Sequence, residues 1–257
     1  MIKALHNGMS VQGLNDLETL NTMWTEFFVK ETYDWWRKVQ PGDTVMDIGA
    51  CVGMFTCRAL DLGAKTVYAI EPNPELLRTT VLNALPHMVN KNQQPLYPIN
   101  CFIGTSKEHT THGFGDIKDR IETLSFKTIL KEYGIKHIDY LKIDCEGGEY
   151  SIFEEENWDF LNKHVKHMAI EWHLDVFPEA PDKFIHIRDN FIANYKGKVR
   201  WLKPEHKKKA YDDEWMKSKW PLGWGAGFMM YLTNQVHHHK NILKFLVNFL
   251  NFVVVYY

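Results

Sequence analysis

The chain has 257 residues, 45% of them hydrophobic and 24% charged, a balance that supports a buried core and excludes a fibrous or disordered polypeptide. Its formal net charge of -2 argues against the overall basic field that gathers nucleic acid or anionic lipid, so no nucleic-acid partner is expected. Four cysteines, Cys51, Cys57, Cys101 and Cys145, lack zinc-site spacing and follow no secretory leader, which predicts buried thiols in a cytoplasmic, reducing setting.

In chain order, residues 1–40 read as a helical lead-in whose Trp24, Phe27, Phe28, Tyr33, Trp35 and Trp36 need a surface to pack on. A Pro41–Gly42 turn precedes an apolar run at 44–49 suited to a buried parallel strand. Helix character at 55–62, ended by Gly63, and a second apolar run at 66–70 complete a βαβ unit. A helical segment with Leu76, Leu77, Val81 and Leu82 leads to a third strand near 96–103. Residues 124–133 read as helix, and 138–144 and 167–172 as strands. Two late strands, 198–202 and 227–232, flank a connection at 203–224 rich in Lys and Trp. Strands alternating with helices predict a parallel sheet covered on both faces, with its ligand at the carboxyl ends of the strands, where Asp47, Glu71, Asp144 and Glu171 fall. The expected organisation is a lead-in at 1–40, a catalytic domain at 41–236 with a substrate-side loop at 203–224, and an apolar helix or tail at 237–257.

The segment Asp47-Ile48-Gly49-Ala50-Cys51-Val52-Gly53 sets an acid and two glycines between a strand and a helix. Gly49 is expected to let the backbone pass close to a ligand, Gly53 to let the helix approach the sheet, and Asp47 to act on a cationic ligand group directly or through water. A nicotinamide-type turn would place glycine where Asp47 stands, so an oxidoreductase is the weaker alternative and S-adenosylmethionine the better ligand. Glu71, about twenty residues on, is placed to accept hydrogen bonds from both ribose hydroxyls.

With these residues in view, the chain resembles the FkbM family of S-adenosylmethionine-dependent methyltransferases. The likeness runs from Pro41-Gly42-Asp43 and Asp47-Ile48-Gly49-Ala50 through Ala69-Ile70-Glu71-Pro72-Asn73 and Leu141-Lys142-Ile143-Asp144-Cys145-Glu146-Gly147-Gly148-Glu149 to Ile170-Glu171-Trp172-His173. Family members often carry Asn-Ile where this chain has Cys51-Val52. The resemblance implies a Rossmann-like class I methyltransferase with a mostly parallel seven-stranded sheet, and O-methylation of a sugar, glycan or natural-product hydroxyl. It also places Asp47, Gly49, Ala50, Gly53, Glu71, Pro72, Asn73 and Asp144 around the cofactor.

Methyl transfer to a hydroxyl needs alignment and a base. Asp144 and Glu146 after the fourth strand, and Glu171 and His173 after the fifth, are expected on the acceptor side. His173 is the first candidate base because an ordinary imidazole accepts a proton near neutral pH. Asp144 is the second, and Glu171 completes the catalytic set. The rival reading of Asp144, Glu146, Glu171 and His173 is a magnesium or manganese site, and Glu146 and Glu149 also suit the start of the next helix. Trp215, Trp220 and Trp224 offer flat faces for an acceptor, and Lys207, Lys208 and Lys209 positive charge, although packing and a solvated turn explain both groups. His237-His238-His239 reads as a solvated turn. Residues 241–257 read as an apolar helix or tail with a polar stripe, expected to be too short to span a bilayer and suited to packing on the domain, a homodimer contact or a membrane surface. A non-catalytic adenosyl-binding module is the remaining alternative.

Overall fold

A computed structural model describes residues 2–6, 9–13, 17–88, 96–104, 121–218 and 227–234. The chain enters through a hairpin, β1 (Ile2–His6) against β2 (Met9–Gly13), before helix α1 (Leu17–Trp24) and a π-helical turn at Thr25–Val29. The lead-in is therefore not helical throughout, and the Asn7-Gly8 dipeptide between the paired residues His6 and Met9 is the sequence signal for such a hairpin.

Next come β3 (Thr44–Ile48), α2 (Met54–Asp61), β4 (Thr66–Ile70), α3 (Pro74–Met88) and β5 (Leu96–Ile99), whose strands pair in parallel. The third strand stops at Ile99, short of the expected 103. Asn100 turns the chain there, its Nδ2 donating to the carbonyls of Glu71 (2.9 Å) and Pro72 (2.8 Å). Beyond it, β6 (Phe102–Ile103) pairs with β7 (Thr123–Leu124) in a ladder of its own. Helix α4 (Phe126–Glu132) starts after Ser125, whose hydroxyl oxygen accepts from the Thr128 N–H at 3.0 Å. The chain continues through β8 (Tyr140–Ile143), α5 (Glu149–Ile152), α6 (Glu155–His164), β9 (His167–His173) and α7 (Ala180–Ile187). It ends, within the described residues, on β10 (Lys198–Trp201), α8 (Pro204–Ala210), α9 (Asp213–Lys217) and β11 (Gly227–Thr233).

The main sheet has seven strands in the order β10-β11-β9-β8-β3-β4-β5, with β11 antiparallel to both neighbours. The β10–β11 connection thus leaves and returns at the carboxyl ends of the parallel strands. Its Trp215 packs half-buried against the core with the Lys209 ammonium 5.0 Å from its ring centre, which favours the packing reading. Trp220, Trp224, His237, His238, His239 and residues 241–257 lie outside the described residues.

Strand alternation divides the core. Met46, Ile48, Leu141, Ile143, Ile170 and Trp172 enter one cluster. Val45, Tyr140, Ala169 and Tyr231 enter the other, where Phe27, Tyr33 and Phe55 cover them. On that second face the same alternation carries Asp47, Lys142, Glu171 and His173 toward the carboxyl end of the sheet. Fully burying each of the large apolar side chains contributes about 1.5–3 kcal/mol, enough to hold a polar row at the rim of the core. The four cysteines are free thiols. Among the described residues no helix is long and apolar enough to cross a membrane.

Candidate active site

The turn after β3 is shaped by what lies behind it. Gly49 has φ +77°, and a Cβ there would sit 1.7 Å from the Asp144 carbonyl oxygen, so the glycine admits β8 rather than making room for a ligand alone. Gly53 has φ +83°, and its Cβ would meet Thr80 Cγ2 at 2.8 Å; it lets α2 pass α3, which corrects the expected approach to the sheet. Ala50 is buried, its N–H bonded to the Ile70 carbonyl at 3.0 Å. Cys51 adopts φ +50°, a left-handed conformation that asparagine tolerates better than most residues. Helix α3 holds the turn, Thr80 Oγ1 donating to the Cys51 carbonyl at 2.7 Å and Asn83 Nδ2 to that of Val52 at 2.8 Å.

Glu71 ends β4 almost fully buried, one carboxylate oxygen accepting from the Cys51 N–H and the other from the Asn73 N–H, both at 2.9 Å. Burial raises its pKa against those two bonds. Each oxygen retains a second lone pair, so the carboxylate ties the turn to β4 and still has acceptor capacity for two hydroxyls. Asn73 also caps α3, its Oδ1 accepting from the Glu75 N–H at 3.0 Å, and Pro72 lies between them at the corner.

Asp47, expected to act on the ligand directly or through water, is completely buried and offers no surface for direct contact. Its Oδ2 accepts the Thr56 hydroxyl at 2.7 Å, and its Oδ1 lies 3.3 Å from Lys142 Nζ. Lys142 in turn donates to the Gly49 carbonyl at 2.7 Å and lies 3.6 Å from Asp144 Oδ2. Burial works against the ammonium, but Asp47 and Asp144 outweigh it and raise its pKa. This buried charge pair braces the turn from beneath.

Asp144, Glu171 and His173 come together at the rim, and their ligand-type atoms lie within 4.8 Å of one another; Glu146 is outside that group, its Oε2 3.7 Å from His173 Nε2. Glu171 and His173 lie within β9 rather than beyond it. Tyr33 Oη bridges two of the acids, 2.7 Å from Asp144 Oδ2 and 3.2 Å from Glu171 Oε2. Burial pushes Asp144 up, but Lys142, His173 and the Tyr33 hydroxyl together pull it below the ordinary range. Burial and the Asp144 charge push Glu171 up to about 8. Burial, then Asp144, also raises Glu26 of the π-helical turn, and burial raises Glu146.

His173 is held by Glu149, whose Oε1 accepts both the His173 backbone N–H (2.9 Å) and Nδ1 (3.1 Å). The other Glu149 oxygen accepts the Gly147 N–H at 2.8 Å, and the residue has no solvent exposure. Burial disfavours the imidazolium, yet Glu149, Asp144 and Glu146 raise the His173 pKa well above its ordinary value. The three acids thus favour the charged form of His173, which works against its expected role as the base.

Tyr33, read from the sequence as a packing aromatic, and Glu149, read as a helix start, thus adjoin the site, as do Lys142 and Glu26, for which the sequence pattern indicates no role. Tyr33 is fixed by two phenols of the sheet, Tyr140 donating to its carbonyl and Tyr231 to that of Thr32. Arg58 of α2 also holds the segment, paired with Asp34 at 3.0 Å and Glu31 at 2.9 Å.

A family model described as the methyltransferase FkbM domain matches residues 47–199, more than half of the chain. No curated protein matches it. Among solved structures, methyltransferase FkbM from Methylobacillus flagellatus KT is 14% identical, with 81% of this chain and 47% of that one covered and a TM-score of 0.50. This chain thus spans about half the length of that relative. Precorrin-6y C5,15-methyltransferase from Geobacter metallireducens is 11% identical over 90% and 94% of the two chains at a TM-score of 0.42. SMU.1697c from Streptococcus mutans, solved with SAH, is 10% identical over 80% and 96% at 0.45. Such identities speak to the fold, the mostly parallel seven-stranded Rossmann-like sheet of class I methyltransferases. By the family match, the chain belongs to the FkbM methyltransferase domain family.

Proposed function

We propose that the chain transfers a methyl group from S-adenosylmethionine to a hydroxyl of a neutral sugar, glycan or natural-product-like small molecule. The observation that carries this reading is the convergence of Asp144, Glu171 and His173 within 4.8 Å of one another at the rim of the sheet, where the surroundings lower Asp144 and raise Glu171. A pair of carboxyl groups pushed to different charge states by their surroundings suits proton handling near neutral pH.

The residues fit the cofactor. Glu71 presents two acceptor oxygens suited to a ribose, at the edge of a turn opening onto the start of α2. When bound, S-adenosylmethionine supplies an electrophilic methyl group for in-line displacement by the acceptor oxygen. Glu71 orients the adenosyl end, while Asp47 and Lys142 keep the turn rigid beneath it. Glu171 in its ionised form takes the acceptor's hydroxyl proton and later returns it to solvent. Asp144 stays charged, and His173 and Lys142 offset that charge.

The same acids define the acceptor. Glu26 and Glu146 adjoin Asp144 and Glu171, so an anionic acceptor would add negative charge to a region where burial already strains it. The β10–β11 connection, at the same end of the sheet, is our candidate acceptor-side cover. Because Asp144, Glu146 and Glu149 surround His173 and favour its charged form, we assign this cluster to proton handling without a divalent ion.

The test is mass spectrometry of neutral glycans, matched uronic acids and sugar phosphates incubated with isotopically labelled S-adenosylmethionine, with and without EDTA. The reading predicts methyl ethers on neutral acceptors in both conditions. Methylation confined to anionic acceptors, or activity abolished by EDTA and restored by magnesium or manganese, would overturn the corresponding part.

A further inference from the structure

The seam between β10 and β11 ends half made. Trp201 lies opposite Met230, so Leu202 and Met229 are the next pair, and the Leu202 N–H donates to the Met229 carbonyl at 3.3 Å. A regular antiparallel ladder would return the bond, from the Met229 N–H to the Leu202 carbonyl. The Met229 N–H instead donates to Nδ1 of His206, in α8, at 3.1 Å. Because the polar groups of Met229 point to β10, its pairing with Glu171 of β9 is of the non-hydrogen-bonded kind, which brings two side chains closest across a sheet. Met229 is 4% exposed and lies on the core face toward which alternation carries Glu171.

We infer that His206 is a positioning residue of the acceptor side: by supplying the acceptor that the Leu202 carbonyl would otherwise give, it latches the β10–β11 connection to β11 and holds Met229 against Glu171. An accepting Nδ1 carries no proton, so the ring is neutral with its proton on Nε2. Burial, helped by Lys203 and Lys209 against Glu205, favours that neutral form. The far end of the connection is docked separately. Arg188, just after α7, donates to the Ala210 carbonyl at 3.1 Å and pairs with Asp213 at 2.6 Å. Those contacts fix the end of α8 and the start of α9, whereas His206 ties the start of α8 to the strand beside Glu171. The adenosyl contact assigned to Glu71 lies beyond β4, with β9, β8 and β3 in between, so loss of the latch acts on the acceptor side and leaves the cofactor alone.

The consequence for methyl transfer rests on the proposed function; the latch does not. The test compares His206→Leu, which removes the acceptor, with His206→Asn, whose Oδ1 hangs from Cγ as Nδ1 does and can accept the same N–H. Amide hydrogen exchange read by NMR without cofactor should show Met229 exchanging about tenfold faster in His206→Leu, the size set by one hydrogen bond, and near the wild-type rate in His206→Asn. On an accepted neutral substrate, kcat should fall roughly tenfold to a hundredfold in His206→Leu, as for a displaced reacting group, with S-adenosylmethionine affinity unchanged, and should recover in His206→Asn. Unchanged Met229 exchange in His206→Leu would overturn the latch. Faster exchange with wild-type kcat, or a loss of kcat that His206→Asn does not repair, would overturn the positioning role. Expected exchange in a wild-type protein that transfers no methyl group would support the latch and overturn the functional reading instead. Should His206→Leu not fold, nitrogen-15 NMR of the unaltered protein still decides: His206 should carry its proton on Nε2 beside a protected Met229 amide, and a proton on Nδ1 or an unprotected amide would overturn the contact.

Discussion

Replacing Glu149 by Gln keeps the shape of a fully buried side chain while removing its charge. The carboxylate accepts three N–H groups, from Gly147 at 2.8 Å and from His173 backbone N and Nδ1 at 2.9 and 3.1 Å. An amide oxygen can keep one side of this set; its NH2 then faces a donor on the other. With a bond to a charged group contributing about 1.5–3 kcal/mol, and removal of one partner from a buried pair costing about 3–5, a loss near 3 kcal/mol is expected. The loss should depend on pH. Because the folded pKa of His173 is raised, its pairing stabilises the fold in full below the unfolded value of about 6.5 and fades as pH climbs through the folded value. Urea denaturation of both proteins should therefore show a larger cost near pH 6 than in strongly alkaline solution. An equal cost at both pH values, or one under about 1 kcal/mol at pH 6, would refute the charged His173–Glu149 pair.

Two further substitutions separate the ligand from the scaffold. Glu71→Gln should weaken S-adenosylmethionine binding by about 1.5–3 kcal/mol while the protein stays folded; calorimetry returning wild-type affinity would remove Glu71 from the ribose contact. Gly49→Ala places a Cβ 1.7 Å from the Asp144 carbonyl, and thermal melting should show a loss of roughly 4 kcal/mol or more, as for other strained backbone sites; a wild-type melting temperature would mean that β8 does not pass so close to the turn.

The frame of the fold was legible because its signals are local. Residues 44–49 and 66–70 are short apolar runs bounded by turn residues, and β3 and β4 lie within them. The convergence of Asp144, Glu171 and His173 followed from strand ends and period-2 alternation. What was not legible depends on distant neighbours. Tyr33 reaches Asp144 across 111 positions of sequence, and nothing nearby distinguishes it from the other aromatic residues that need a packing surface. Glu149 looked like an acid suited to a helix start. Its side chain instead reaches His173, 24 positions on, and favours that residue's charged form. Gly53 answers to Thr80 of α3 rather than to the sheet, a contact set by how two helices cross.

The central claim, that Glu171 handles the acceptor proton at a site built for S-adenosylmethionine, is tested most directly by comparing wild type with Glu171→Gln on one accepted neutral substrate. S-adenosylmethionine affinity should be unchanged, and methyl transfer at alkaline pH, where Glu171 is ionised despite the burial and the Asp144 charge that raise it, should fall by about a hundredfold to ten-thousandfold, the usual cost of losing a general base. Wild-type turnover in Glu171→Gln, with its pH profile intact, would contradict the account.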